Sequence, residues 1–339
     1  MPNRECMDEA DQRAETGGLT FRGIQGESDY PLLLDNVLSS WKADTNDEAV
    51  SLEDIARFYA PSDEFIPTRD VLIASLAGTS SVIGHSRLGW YSSSEDTLLY
   101  YQTSYLRQEY RGRGFWQTMV RQNECRIREI AAEHQPAPKR FFQAWARDNQ
   151  PDWISVLEST GYQVVRRFNN MLYALGEVPS RPLPAGFDVR PVKPEHMRRI
   201  WEAQREMNDG LFENVAEDWL EEKYPAWLED PSHTPELWQV AWDGDQLAGT
   251  VLSRIDPGEN EDRTRKRGYT EHIFVRPQWR RRGLASALIA RSLQVLKAQG
   301  MHEAELGVDS ENESAAFRLY QRIGYTTFCV DTWFRKPME

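Results

Sequence analysis

A run of basic and small residues follows a β-rich stretch in the last third of the chain. The segment Phe274-Val-Arg-Pro-Gln-Trp-Arg-Arg-Arg-Gly-Leu-Ala-Ser286 ends a strand at Pro277, because proline cannot continue a central strand. Gly283 then allows close backbone approach, and a long amphipathic helix begins. Free N–H groups at a helix N-terminus form an anion site, so the segment predicts a cradle for a diphosphate. A solvated basic turn that caps the helix is the alternative interpretation.

A second stretch, from Val308 to Tyr325, closes the same half of the chain. Together the two stretches resemble the acetyl-CoA motifs of the GNAT N-acetyltransferases. The matching residues are Arg280-x-x-Gly283-x-Ala285 for the cofactor signature, Val275-x-Pro277 for the end of that family's fourth strand, and Asn312 with Leu319-Tyr320-x-x-x-Gly324-Tyr325 for its second motif. The resemblance covers residues 187–339 and implies acetyl-CoA as cosubstrate, with no metal.

The resemblance also implies which residues bind the cosubstrate and which act on it. In the family, the fourth and fifth strands separate to admit the pantetheine arm, and an N–H group near Val275 would polarise the thioester carbonyl. Tyr320 would face the sulfur and protonate the leaving thiolate. The residues implied for acetyl-CoA binding are Val275, Arg280, Arg281, Arg282, Gly283, Leu284, Ala285, Ser286 and Asn312.

An amine acceptor needs a general base, because an aliphatic amine has a pKa of about 10.4 and is mostly protonated at neutral pH. Glu271 lies four residues before Val275, so regular strand alternation predicts that the two side chains share a face. Glu271 is the candidate base, with a structural carboxylate as the alternative. Many family members carry this glutamate two positions earlier, where the chain has Tyr269. His272 is predicted to point to the opposite face, packed or exposed.

Composition and charge bound the class of protein. The 339 residues suggest about two domains, at roughly 150 residues for each. Hydrophobic residues make up 40% and charged residues 27%, which is a globular balance. The formal net charge of −13 argues against a nucleic-acid partner, because such proteins usually carry a basic surface. The same charge mildly favours ligands that bear an amine.

Cellular context is indicated by the cysteines and by the absence of long apolar runs. The 3 cysteines, without CxxC spacing, argue against a zinc or disulfide framework and fit a reducing compartment. No apolar run of about 18 residues is present, and the N-terminal residues resemble neither a signal nor a transit peptide. A cytoplasmic protein without a membrane partner is predicted, and its oligomeric state is left open.

Two landmarks recur along the chain and predict a duplicated domain. The offset is 169 residues between Arg111-Gly-Arg-Gly-Phe-Trp116 and the later basic turn, and 163 residues between the two Gly-Tyr pairs. A flexible acidic tail (1–18), a first domain (19–176), a proline-rich linker (177–186) and a second domain (187–339) are predicted. Each domain is expected to be α/β, with a mixed, mostly antiparallel sheet flanked by helices. Two GNAT domains in one chain further resemble the mycothiol synthase arrangement.

The first domain lacks the predicted catalytic groups. The replacements are Gln102 for Glu271, Leu157 for Tyr320 and Trp116 for Ala285. An amide cannot act as a base at neutral pH, an alkyl group cannot act as an acid, and an indole narrows the cradle. The domain is therefore predicted to be catalytically silent. A possible second nucleotide site remains at Arg111, Gly112 and Gly114.

The whole sequence predicts transfer of an acetyl group from acetyl-CoA to a primary amine of a small molecule, by direct attack in the second domain. Trp219, Tyr224 and Trp227 either line the acceptor pocket or pack in the core. Two alternatives stay open. One is a non-catalytic acyl-CoA sensor, which the decay of the first domain suggests. The other is a different enzymatic transfer, either of a longer acyl group or to a protein or peptide amine.

Overall fold

The computed structural model describes residues 14–45, 50–62, 65–94, 96–135, 139–208, 221–230, 232–262, 265–310 and 315–338. The chain forms two compact units. Unit 1 contains Met1–Arg166 together with Asp331–Glu339, and unit 2 contains Arg167–Val330. Within the described residues, no helix is long and apolar enough to cross a membrane. Cys125 is disulfide-bonded, which the cysteine count did not predict.

Unit 1 is built on one sheet with helices packed against it. Its helices are α1 (Tyr30–Ala43), α2 (Leu52–Phe58), α3 (Pro67–Asp70), α4 (Phe115–Ala132) and α5 (Pro151–Ser159). Its strands lie in the order β1 (Ala14–Thr16), β2 (Leu19–Gly23), β3 (Val71–Leu76), β4 (Val82–Ser94), β5 (Thr97–Leu106), β6 (Lys139–Arg147) and the C-terminal strand β13 (Thr326–Pro337). Neighbours in this order are antiparallel, except that β5 and β6 are parallel.

Unit 2 repeats this architecture. Its strands lie in the order β7 (Gln163–Ala174), β12 (Glu303–Asp309), β11 (Arg267–Val275), β10 (Gln246–Ile255), β9 (Gln239–Asp243) and β8 (Asp188–Val189). Its helices are α6 (Pro194–Asn208), α7 (Tyr224–Leu228), α8 (Pro257–Asp262), α9 (Leu284–Ala298) and α10 (Ala316–Ile323). Here β11 and β12 are the parallel pair, and the other neighbours are antiparallel.

A long helix connects the parallel strands in each unit, since parallel neighbours need a crossover. Helix α4 joins β5 to β6, and α9 joins β11 to β12. Apolar residues recur along α9 at the helical period, and Leu284, Leu288 and Leu296 are at most 1% exposed against the sheet. The parallel pairing ends at Tyr101/Gln143 in unit 1 and at Tyr269/Glu305 in unit 2. Beyond these pairs the strands separate and leave a gap.

The mixed, mostly antiparallel sheet flanked by helices, predicted for each half of the chain, is confirmed in both units. The units nevertheless divide the chain differently from the predicted domains. Strand β7 pairs with β12 in unit 2, and β13 pairs with β6 in unit 1, so each half supplies a strand to the other unit's sheet. Residues 177–186, the predicted linker, contain no helix or strand and lie within unit 2. Ala14–Thr16 pairs with β2 although it was predicted to be flexible, and residues 1–13 lie outside the described residues.

Candidate active site

The basic turn predicted as a cradle connects β11 to α9. A short 3₁₀ turn at Pro277–Trp279 follows the strand, and then Arg281 and Gly283 adopt left-handed backbone angles, with φ of +63° and +85°. Gly283 caps α9 without a side-chain hydrogen bond, and the N–H groups of Leu284–Ser286 have no intrahelical acceptor. A Cβ placed on Gly283 would meet nothing within 4 Å, so the approach to these donors is open.

Two side-chain hydrogen bonds hold this turn in place. Arg280 Nε donates to the carbonyl oxygen of Val275 at 2.8 Å, and Trp279 Nε1 donates to Asp243 Oδ2 at 2.9 Å. Residues 280–283 are exposed at the mouth of the helix, so their guanidinium groups add positive charge there. Unpaired N–H groups beside positive charge fit an anion such as a pyrophosphate.

The turn opens onto the gap between β11 and β12. Arg276 N–H donates to the carbonyl of Ala248 at 3.0 Å, so Val275, one residue earlier in this antiparallel ladder, directs its N–H to the other edge of β11. That edge faces β12, whose pairing with β11 has already ended. The N–H of Val275 is therefore directed into the gap, where it can donate to a carbonyl oxygen.

A β-bulge interrupts β11 in the middle of the predicted site. The pairs on either side of it join Leu252 to Glu271 and Thr250 to Phe274, so two residues of β11 oppose one residue of β10. His272 lies in the bulge with a φ of +48°, which is uncommon for a residue with a side chain. Its carbonyl accepts a hydrogen bond from Thr250 Oγ1 at 2.9 Å, and this bond holds the bulge.

The bulge changes which side chains share a face of the sheet. Directly paired residues share a face, so Glu271 lies with Leu252, in the buried cluster under α6 that also contains Phe274. Val275 belongs instead to the cluster under α9. The prediction that Glu271 and Val275 share a face is wrong, because the bulge adds one residue between them.

Glu271 takes part in a half-buried ion pair. Arg254 Nε donates to both carboxylate oxygens, at 3.1 and 3.3 Å, and the Arg254 guanidinium lies 4.1 Å from the centre of the Tyr269 ring. Burial raises the pKa of Glu271 above its ordinary value, and the charge and hydrogen bond of Arg254 oppose that rise. An oriented carboxylate with a raised pKa is suited to accept a proton. Sequence reasoning missed Arg254, because only the register of β10 on β11 brings it to Glu271.

Aromatic and imidazole side chains pack on the face of unit 2 that carries Glu271. The ring centres of Trp227 and His233 are 4.7 Å apart, and Tyr224 stacks on Trp227 at 6.1 Å. Burial, with a smaller contribution from His233, lowers the pKa of His272 to about 4. His272 is therefore neutral at neutral pH and half-buried, and not exposed. These rings form an apolar wall on the same face of the sheet as the candidate base.

Tyr320 lies on α10, on the other face of the sheet. Its ring packs in the same buried cluster as Val275 and Val308, which stand on the two strands that border the gap. Tyr320 is 7% exposed, and burial raises its pKa to about 12, so the hydroxyl is protonated at neutral pH. The neighbouring Tyr325 places its hydroxyl 2.8 Å from Thr270 Oγ1. A protonated phenol thus packs against the strands that flank the gap.

Two predicted residues cannot be placed. Asn312, predicted beside the cofactor, and Trp219, predicted at the acceptor pocket, lie outside the described residues. Among the residues that the structure does describe, no cluster of three or more His, Cys, Asp or Glu side chains could hold a metal ion.

The equivalent strand of unit 1 has no bulge at this point. Pairing of β4 with β5 is regular from Gly84 to Ser92. Gln102 Nε2 donates to the hydroxyl of Tyr162, the tyrosine of the first Gly-Tyr pair, at 2.6 Å. In unit 2 the hydroxyl of Tyr325, the tyrosine of the second Gly-Tyr pair, is bonded in the same way to Thr270. Gln102 therefore corresponds to Thr270 and not to Glu271, and the bulge accounts for this one-residue error in the prediction.

The turn before α4 keeps the backbone shape of the turn before α9, but its arginine side chain is largely buried where Arg280 is exposed. Gly112 and Gly114 have φ of +71° and +78°, close to the angles at the equivalent positions of unit 2. Arg111 is turned inward, where its guanidinium donates to Asp44 and lies 4.8 Å above the ring of Trp116. A second nucleotide site at this turn stays a prediction.

The sequence of this chain is similar to those of known acetyltransferases. Residues 197–325 match the family described as Acetyltransferase (GNAT) family. Mycothiol acetyltransferases from Geodermatophilus obscurus and Clavibacter michiganensis are each 27% identical, over 62% and 57% of this chain and 67% and 61% of their own length. N-alpha-acetyltransferase 30 from Schizosaccharomyces pombe is 33% identical over 28% of this chain and 60% of its own. The matched part of the chain thus spans about two thirds or less of the length of these relatives.

Solved structures share the fold over nearly the whole chain. A GCN5-related N-acetyltransferase from Sphaerobacter thermophilus has a TM-score of 0.71 at 23% identity, covering 96% of this chain and 97% of that one. A tandem GNAT protein from the clavulanic acid biosynthesis pathway has a TM-score of 0.62 at 15% identity, covering 94% and 98%. At these identities the likeness shows the fold, which is that of a tandem GNAT protein.

Proposed function

We propose that the GNAT acetyltransferase domain at residues 197–325 transfers an acetyl group from acetyl-CoA to a primary amine of a small molecule. One observation carries the proposal: the open turn before α9 and the N–H of Val275 meet at the gap between β11 and β12. Glu271 lies on one face of the sheet beside this gap, and Tyr320 lies on the other. The groups proposed as anion donors, carbonyl donor, base and acid thus belong to the strands and helices that border this gap.

The groups of this chain are suited to hold acetyl-CoA at two points, the pyrophosphate and the thioester. The N–H groups of Leu284–Ser286 would bind the pyrophosphate, with the guanidinium groups of Arg280–Arg282 beside them. Val275 N–H would donate to the thioester oxygen and stabilise the negative charge that develops on attack. The open space above Gly283 and the small side chain of Ala285 leave room for the approach.

The reaction would be a direct transfer without an acyl-enzyme. The amine nitrogen attacks the carbonyl carbon, and the C–S bond breaks after the C–N bond forms. Glu271 accepts the proton that the amine loses, directly or through water, and Tyr320 donates a proton to the leaving sulfur. The pKa of Tyr320, at about 12, keeps its hydroxyl protonated until that step. Solvent then restores both residues for the next turnover.

Three features support a small amine as the acceptor. The similar proteins include mycothiol acetyltransferases, whose names refer to a small molecule, mycothiol. The wall formed by Tyr224, Trp227 and His233 presents aromatic faces, which attract an ammonium ion. The net charge of −13 attracts cations over long range.

Two measurements on the full-length chain test the proposal. Acetyl-CoA at about 100 times its Kd should stabilise the fold by about 2.7 kcal/mol, which raises the Tm by several degrees. Free-thiol detection should then show release of CoA with one class among polyamines, aminoglycosides, amino acids and aminosugars. The proposal would be overturned if acetyl-CoA did not stabilise the fold and no amine caused release of CoA. Stabilisation without release would indicate an acyl-CoA sensor, and release with peptides alone would indicate a protein N-acetyltransferase.

A further inference from the structure

Unit 1 contains a cavity of about 210 Å³ in the gap between β5 and β6. The strands pair as far as Tyr101 and Gln143, and the cavity lies where they have separated. We propose that this cavity binds a small organic ammonium ion, such as a primary amine, and does not bind a nucleotide. The site lies in the half without catalytic groups, so it is independent of acetyl transfer in unit 2.

Aromatic rings from four different elements line the cavity. They are Trp41 from α1, Tyr105 from β5, Trp145 from β6 and Trp153 from α5. The face of each ring attracts a cation, because the ring quadrupole is negative above and below its plane. The same rings favour an apolar carbon skeleton over water. This lining suits an ammonium ion on a compact apolar body.

Asn149 contributes a hydrogen-bond acceptor to the cavity wall, and no protein donor among the described residues satisfies it. Its Nδ2 donates to the carbonyl oxygen of Asp44 at 2.8 Å, and this bond fixes the amide orientation, since an exchange of N and O would oppose two acceptors. Its Oδ1 is buried and has no hydrogen-bond partner in the described part of the chain. A ligand N–H would satisfy an atom that is otherwise unfavourably buried.

The charged groups of the cavity form two ion pairs. Asp44 accepts from Arg111 and from Gln150, the latter at 2.9 Å, and Asp331 accepts from Arg147 Nε at 3.1 Å. An ionised carboxylate offers about four acceptor sites, so Asp44 can accept a further donor beside these two partners. Because each guanidinium is compensated by a carboxylate, the lining carries no excess positive charge that would repel an ammonium ion.

The same contacts disfavour a nucleotide. Arg111, which the sequence offers to a phosphate, has a side chain only 9% exposed and bonded to Asp44. Trp116 occupies the second position of α4, where unit 2 has Ala285, and stacks on Trp153 with ring centres 4.9 Å apart. A phosphate here would meet an indole pair and a carboxylate.

Calorimetric titration of the full-length chain with putrescine, glucosamine and 2-phenylethylamine tests this proposal. The N-acetylated form of each amine is the neutral control. At least one amine should bind, and Trp41→Leu and Asn149→Leu should each weaken this binding by about tenfold or more, through loss of a ring face and of an acceptor. Trp90→Leu, which changes a ring of unit 1 outside the cavity, should leave the affinity unchanged.

Thiol release by unit 2 should be unchanged in Trp41→Leu, which separates this site from the proposed reaction. If Asn149→Leu fails to fold, Trp41→Leu on α1 provides the same test from another element. The proposal would be overturned if both substitutions left the affinity for the amine unchanged. The proposal would also be overturned if these substitutions weakened the binding of acetyl-CoA or ADP, because that result would indicate a nucleotide site.

Discussion

Replacement of Tyr320 by phenylalanine removes one oxygen from the candidate acid and leaves its ring in place. The ring packs in the buried cluster with Val275 and Val308 and contacts Tyr325 at 6.1 Å between centres. Phenylalanine keeps these contacts, so the free energy of unfolding should change by no more than about 1 kcal/mol. Any large loss of activity in Tyr320→Phe would therefore come from the missing proton donor and not from a loss of folded protein.

The expected size of this loss follows from the leaving group. A positioned general acid usually contributes about 10²–10⁴-fold to the rate. A thiolate with a pKa of about 8.5 leaves more readily than an alkoxide or amide, which favours the lower end of that range. We therefore expect kcat to fall by about 10²-fold, equivalent to about 2.7 kcal/mol of transition-state stabilisation. The Kd for acetyl-CoA should change by less than about twofold, since the proton is transferred only in the transition state.

Tyr325→Phe is the matched control, because Tyr325 is a buried phenol in the same cluster. Its hydroxyl bonds to Thr270 at 2.8 Å, so the substitution should cost about 1 kcal/mol of stability without lowering kcat. Steady-state thiol release and acetyl-CoA titration on both variants provide the comparison. A wild-type kcat in Tyr320→Phe, or an equal loss in both variants, would refute the acid role.

Two further substitutions test the base and the cradle. Glu271→Gln should lower kcat/KM by about 10²–10⁴-fold and remove the limb of the pH profile that rises as the carboxylate ionises. Because burial raises the pKa of Glu271, that limb should lie above pH 4.5 in the wild type, and an unchanged profile in the variant would exclude Glu271 as the base. Ala285→Trp, which copies Trp116 of unit 1, should raise the Kd for acetyl-CoA by about 10–100-fold in calorimetry. Ala285→Ser is its control, and equal affinities would contradict binding at this turn.

The backbone shape of the turn before α9 could be predicted from sequence because its causes are local. Proline ends a strand, glycine permits a left-handed angle, and the periodic apolar residues after Gly283 form a helix whose first N–H groups have no acceptor. The left-handed angle at Arg281 was not predicted, since the residue type disfavours it. Unit 1 has glycine at the same position, Gly112, so a comparison of the two halves contained the signal.

The face of the sheet on which each candidate catalytic side chain lies could not be predicted, because it depends on the pairing between strands. No residue from Glu271 to Val275 is a glycine or proline that would signal a bulge. The bulge exists because Thr250 of the neighbouring strand holds the carbonyl of His272. Strand alternation alone therefore placed Glu271 beside Val275 and aligned it with Gln102, and both inferences were wrong by one residue.

The exchange of strands gives a physical reason for the N-terminal half to persist in the chain even if it is catalytically silent, as predicted. Strand β12 borders the gap, and its antiparallel neighbour is β7, from Glu303/Ala174 to Asp309/Phe168. In the folded chain, β7 satisfies the backbone groups along that edge of β12, which would otherwise be unpaired. Because the position of β12 sets the width of the gap, the N-terminal half contributes to the candidate site through one strand. That contribution does not depend on whether its own cavity binds a ligand.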